Sequence, residues 1–157
     1  MHEMTPRPLE WIDTAPVRAS RSRRIAQPPA TVWAAIADHA GWPAWFPRLR
    51  EVTPGPVADA VGGTRRVDMG PAAADEEFLA WEPERRFAFT LTGSSRPGLR
   101  SMVEDVRLTP DGPSACTVTY TMGVELPAAA VLRPVLQPVL RKVISDALAG
   151  LALHVRG

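Results

Sequence analysis

At 157 residues and 17.0 kDa, with 45% apolar and 22% charged residues, the chain has the makeup of one ordinary globular domain, not of a disordered or fibrous protein. A net charge of +1 gives no reason to expect nucleic acid as a partner, and a single cysteine, Cys116, excludes an internal disulfide and zinc-ligand cysteine spacing. No stretch reaches the roughly 18 apolar residues of a spanning helix, and residues 1–16 lack the apolar run of a secretory signal, so a cytoplasmic, soluble protein without stable membrane insertion is expected.

The first 16 residues carry Pro6, Pro8 and Pro16 and no sustained periodicity. They read as an N-terminal extension, docked through Trp11 or mobile, ahead of a domain spanning 17–157. Residues 17–26 read as a strand whose basic run "RASRSRRI" (18–25) has no interleaved aromatics and fits a solvated face. A short helix follows at 27–38, with Pro29 in its first turn and Val32, Trp33 and Ile36 on one side. Then "GWPAWFP" (41–47) crowds two tryptophans and a phenylalanine between prolines. Each proline removes a backbone donor and its ring clashes with the preceding turn, so a short irregular helical turn is expected there.

Six strand-like runs come next, at 48–54, 63–69, 75–82, 85–93, 99–109 and 115–126, punctuated by Gly- and Pro-rich turns. Links this short join antiparallel neighbours. In 127–157, Leu132, Val135 or Leu136, Val139 or Leu140, Val143, Ala147, Leu151 and Val155 recur at three- and four-residue steps, opposite Arg141, Lys142, Ser145 and Asp146. That is a long amphipathic helix, which Pro134 and Pro138 are expected to kink or to delay until about Pro138. A curved antiparallel sheet must bury one face, and this helix is the only late element able to cover it. The expected class is therefore α+β, with a cavity where sheet and helix do not meet.

Alternation sorts the strands into inner and outer sets. Cys116, Val118, Tyr120, Met122 and Val124 fall inward, as do Phe87, Phe89 and Leu91, and Met102, Glu104, Val106 and Leu108. Val67 and Met69 carry Arg65 inward with them, while 75–82 fits either Phe78 with Ala80 or Leu79 with Trp81. Glu104 and Arg65 are thus inward charges among apolar neighbours. An unpaired buried carboxylate is strongly disfavoured, so Glu104 must be paired, hydrogen-bonded, near a mouth or raised in pKa. It is a polar anchor or acid–base group for a ligand, or half of a Glu–Arg pair closing one end of the sheet, or turned outward by a bulge. Tyr120 offers its phenol to a ligand or satisfies it locally. His39 suits a general base by its near-neutral pKa, or is a cap or surface residue; Cys116 reads as core filler. No phosphate loop, dinucleotide fingerprint, nucleophile elbow or zinc-spaced His–Glu pair is present, so no metal and no cofactor is expected.

The stretch "IAQPPATVWAAIADHAGWPAWFPRLREV" (25–52) resembles the N-terminal third of the START-like (SRPBCC) superfamily, specifically its polyketide cyclase/dehydrase and lipid-transport branch. The matching positions are Pro28, Pro29, Val32, Trp33, Asp38, Trp42, Pro43 and Trp45, and "FLAWEPERRFAFTLTG" (78–93) resembles the family's hairpin through Trp81, Pro83 and Arg86. That hairpin favours Leu79 and Trp81 as the inner pair. The resemblance spans about residues 17 to 155 and implies a helix-grip fold: a curved seven-stranded sheet wrapped around the C-terminal helix, two short helices after strand 1, and a deep apolar cavity. The cavity so implied draws on Trp33, Trp42, Trp45 and Phe46 near the first helix. It draws on Val67, Met69, Trp81, Phe87, Phe89, Met102, Val118 and Met122 from the sheet, and on Leu136, Leu140 and Ile144 from the terminal helix. Trp45 or Phe46 is expected to pack inward and Trp42 to sit nearer the entrance.

Three functions compete. The first is an intracellular carrier or sensor, monomer or homodimer, for a lipid, polyketide or isoprenoid-like molecule. The second is a cofactor-independent cyclase or dehydratase in which Glu104, Arg65 and Tyr120 would be catalytic. The third is a protein-interaction module, which an exposed apolar patch at 42–47 would favour.

Overall fold

A computed structural model of the chain describes residues 1–156. Its strands are β1 (His2–Glu3), β2 (Val17–Ile25), β3 (Glu51–Pro54), β4 (Thr64–Asp68), β5 (Ala73–Glu82), β6 (Arg86–Ser94), β7 (Ser101–Pro110) and β8 (Cys116–Glu125). Helix α1 covers Pro29–Ala37 and α2 covers Ala129–His154, with 3-10 segments at Leu9–Thr14 and His39–Ala44. Every pairing is antiparallel, in the order β2-β8-β7-β6-β5-β4-β3. This is the α+β helix-grip fold, with α2 lying across the inner face. No helix among the described residues is long and apolar enough to cross a membrane.

An eighth strand is added to the expected seven, because the first residues join the sheet, with Trp11 half-buried. The β6–β7 ladder ends at Thr90 opposite Val103, and beyond it β1 pairs with β6, His2 opposite Ser94 and Glu3 opposite Gly93. Met4 and Ile12 are the buried anchors. Arg7 binds Ser101 Oγ and Glu125, and its backbone N–H donates to Thr90 Oγ1. Gly123 permits the close packing, since a Cβ there would come 2.8 Å from Ala15 Cβ. The segment therefore covers the outer face of β7 and β8, which explains why outward Ser101, Val103 and Asp105 are buried.

Helix α2 starts at Ala129 and runs through both prolines rather than waiting for Pro138. The proline half is exposed, so a carbonyl released by a missing N–H can be hydrated. Arg133 Nε donating to Pro16 O and Gln137 Nε2 donating to Arg18 O tie this half to the start of β2. Further along, Ile144, Ala147, Leu148 and Leu151 enter the core. The basic run forms the expected solvated strand face, here on the edge strand β2, with Arg18, Arg21, Arg23 and Arg24 exposed.

In β5 the expected phase is wrong at Leu79. A register shift between Phe78 and Ala80 sets Leu79 aside and leaves both Phe78 and Trp81 facing Phe87, at centroid distances of 4.9 and 5.3 Å. Trp33 packs edge-on to Trp81 at 5.1 Å, and His39 stacks on Phe78 at 5.2 Å. One half of the grip is thereby filled with rings.

Candidate functional site: a cavity with a polar inner end

Where the inner residues are small or aliphatic instead of aromatic, the grip stays open. A cavity of about 330 Å³ lies between the sheet and α2, within the range of small-molecule sites. Val67, Ala74, Leu91, Met102 and Met122 line it from the strands, Leu140 and Val143 from α2, and Trp42, Phe46 and Phe89 close its inner part. Exposed Arg48, Arg96, Pro97 and Leu99 form the rim, with half-buried Leu49 and Met69.

Four polar side chains share the inner end: Arg65 of β4, Glu76 of β5, Glu104 of β7 and Tyr120 of β8. The β4–β5 hairpin places Arg65 opposite Glu76, and Arg65 Nε donates to Glu76 Oε2 at 2.5 Å. The guanidinium also lies 4.0 Å from the Trp42 ring centre and about 5 Å from those of Phe87 and Phe89, so aromatic faces take over much of the solvation it gives up. His39 Nε2 lies 2.7 Å from Ala58 O, which can only accept. The ring hydrogen therefore sits on Nε2, and Nδ1 accepts from Arg65 Nη1 at 3.3 Å. Burial, aided by the charge of Arg65, holds His39 below the usual histidine range, in keeping with a neutral ring.

Glu104 lies apart from the ion pair. The register sets it between Phe89 of β6 and Met122 of β8, and Tyr120 O–H donates to its Oε1 at 2.6 Å. Burial is the main cause that pushes its pKa up to about 8, with the charge of Glu76 adding to it and Tyr120 and Arg65 opposing. At neutral pH the group is mostly the acid. Burial also holds Glu76 above the ordinary carboxylate range, Arg65 pulling the other way, and raises Tyr120 well above the ordinary phenol value. Of the alternatives open for Glu104, it is hydrogen-bonded and raised in pKa; the Glu–Arg pair that forms is Arg65–Glu76, and no bulge turns Glu104 out.

Of the residues expected around a ligand, Trp42, Phe46, Val67, Met69, Phe89, Met102, Met122 and Leu140 line the cavity together with Arg65, Glu104 and Tyr120. Trp33, Trp81 and Phe87 belong to the aromatic filling, and Trp45, Val118 and Ile144 to the core behind the lining. Leu136 is half-buried on the part of α2 outside the cavity. Trp42 is not at the entrance: it is 1% exposed, its Nε1 donates to Ile36 O, and its ring supports Arg65. His39 is buried against Arg65 and is neither a cap nor a surface residue.

Alternation counted back from Trp81 turns Glu76 outward, but the strand changes phase at Leu79 and Glu76 faces in. A turn centred on Gly70–Pro71, which sets Asp68 opposite Ala73, also sets Arg65 opposite Glu76. That hairpin arithmetic was the available signal. The rim residues Arg48, Arg96, Pro97 and Leu99 come from loops and carried none.

Residues 16–156 match the family model for "polyketide cyclase / dehydrase and lipid transport", and the chain belongs to this family. An uncharacterized protein of Mycobacterium tuberculosis and its counterpart in Mycobacterium bovis are each 34% identical over 145 residues, covering 88% of this chain and 86% of the relative. Among solved structures, a hypothetical protein of Helicobacter pylori superposes with a TM-score of 0.80 at 12% identity, covering 99% of this chain and 98% of the other. A START superfamily protein of Mycobacterium smegmatis does so with a TM-score of 0.64 at 18% identity, covering 88% and 95%. Both structures share the fold.

Proposed function

We propose that the protein is a cytoplasmic carrier or sensor that holds a hydrophobic small molecule, such as a lipid, polyketide or isoprenoid-like compound, in the cavity under α2. The observation that carries this reading is the coexistence of an open, almost wholly apolar chamber with one polar cluster at its inner end. Such an arrangement buries apolar surface at about 25 cal/mol per Å² and fixes orientation with few polar contacts. Native mass spectrometry of gently purified protein is expected to find a co-purified hydrophobic molecule, and Leu91→Trp, which fills the chamber from β6, is expected to lose it. Retention of the cargo in the folded Leu91→Trp variant would place binding elsewhere.

A second reading, a cyclase or dehydratase, draws support from Glu104, Tyr120 and Arg65 facing one chamber. In that case the acid form of Glu104 would deliver a proton to a carbonyl oxygen, with Tyr120 positioning it. Unchanged turnover of a candidate polyketide by Glu104→Gln excludes that step. For the interaction module the expected patch is not exposed: Trp42, Trp45 and Phe46 are all buried.

A further inference from the structure

The charge balance at the inner end restricts what can be bound, provided the cavity holds a ligand as proposed above. Among the described residues Arg65 is the only cation there, and its Nε and Nη1 are engaged by Glu76 and His39. Two acids, Glu76 and Glu104, already face that one cation. With Glu104 in its acid form, Glu76 alone already balances that cation, so a ligand carboxylate would be a second, uncompensated negative charge in a desolvated site. Glu104 offers the opposite chemistry. Its Oε1 is occupied by Tyr120, while Oε2 makes no hydrogen bond among the described residues, and the side chain lines the cavity.

We infer that the occupant is a neutral molecule with a ketone, enone or ester carbonyl, which accepts a hydrogen bond from Glu104 at the inner end, and that carboxylates of the same skeleton are disfavoured. The exposed arginines of the rim do not reverse this preference. Arg96 Nε is bonded to Pro71 O, and an ion pair to Arg48 in water contributes only about 0–1 kcal/mol. The groups facing Glu104 are Tyr120 from β8, Glu76 from β5 and Arg65 from β4, with His39 behind Arg65; α2 contributes only Leu140 and Val143. Because burial and Glu76 hold Glu104 as an acid up to about pH 8, its donor is present at neutral pH and is withdrawn above that.

A matched pair of probes tests the inference: 2-acetylnaphthalene and 2-naphthoate, titrated from pH 6 to pH 9 by tryptophan fluorescence, for which Trp42 in the cavity wall is the reporter. The ketone is expected to bind roughly tenfold or more tighter than the carboxylate at pH 7, the worth of one buried hydrogen bond, and to weaken as the pH passes about 8. Glu104→Leu loses the preference. Glu104→Gln, whose amide retains a donor and accepts from Tyr120, restores it with a flat pH response. Equal or tighter binding of 2-naphthoate, or a ketone affinity unchanged up to pH 9 in the unaltered protein, overturns the carbonyl inference and leaves the carrier reading intact. If neither probe binds and no cargo co-purifies, the carrier reading fails and this inference fails with it.

Discussion

Trp42 and Trp45 stand three residues apart and are both buried, yet their indole N–H groups are in opposite situations. Trp42 Nε1 donates to Ile36 O at 2.8 Å, whereas Trp45 Nε1 is the one buried side-chain polar atom among the described residues with no partner. Removing a paired donor leaves a buried carbonyl unsatisfied at about 1–3 kcal/mol, while removing an unpaired one relieves a desolvation cost. Trp42→Phe should therefore destabilise by about 2–3 kcal/mol, with the weakened support of Arg65 adding to the loss, and Trp45→Phe by less than about 1 kcal/mol. Denaturant titrations of the two variants measure the contrast. Trp42→Ala, by the same argument, is a folding variant and not a test of ligand entry.

Glu104 gives the molecule a pH dependence of definite sign. Its folded pKa is raised from 4.5 to about 8, so the native state binds a proton that the unfolded chain releases between those values. Its favourable contribution is complete below pH 4.5 and is lost as the pH rises through about 8. The slope attributable to this one group is at most about 1.4 kcal/mol per pH unit. Glu104→Gln should flatten the loss of stability between pH 5 and pH 8, which thermal melts across that range would measure.

Helix α2 passes close to the backbone of the aromatic segment at Gly150. A Cβ at Gly150 would collide with the backbone carbonyl of Trp45, an atom that cannot swing away as the end of a side chain can. Alanine favours a helix over glycine by about 1 kcal/mol, but overpacking against backbone costs typically 1–3 kcal/mol and sometimes more. The second effect wins, so Gly150→Ala is expected to lower stability by about 2 kcal/mol net. Chemical denaturation giving a more stable Gly150→Ala protein would show that the two elements are not in this contact. The helix itself was plain from its three- and four-residue spacing; this contact was not, because a glycine within an alanine- and leucine-rich run carries no mark of what lies opposite.

For the whole molecule, the fold was legible because turn residues and alternation agree from 48 to 126, so strand order followed from the shortness of the links. Arg65, Glu104 and Tyr120 were legible as inner residues for the same reason. What escaped were pairings between side chains on different strands, since these depend on register and on a single shift at Leu79. Which rings line the chamber and which merely fill the core was equally hidden. Trp33, Trp81 and Phe87 are as apolar as any lining residue, and only the three-dimensional course of α1, β5 and β6 sends them to the filled half.

The added strand β1 bears on how the protein can be handled. It occupies the split where β6 and β7 part, next to the loop that carries Arg96, Pro97 and Leu99. Anything joined ahead of Met1, whether a purification tag, a fluorescent reporter or a fusion partner, emerges beside the chamber's doorway.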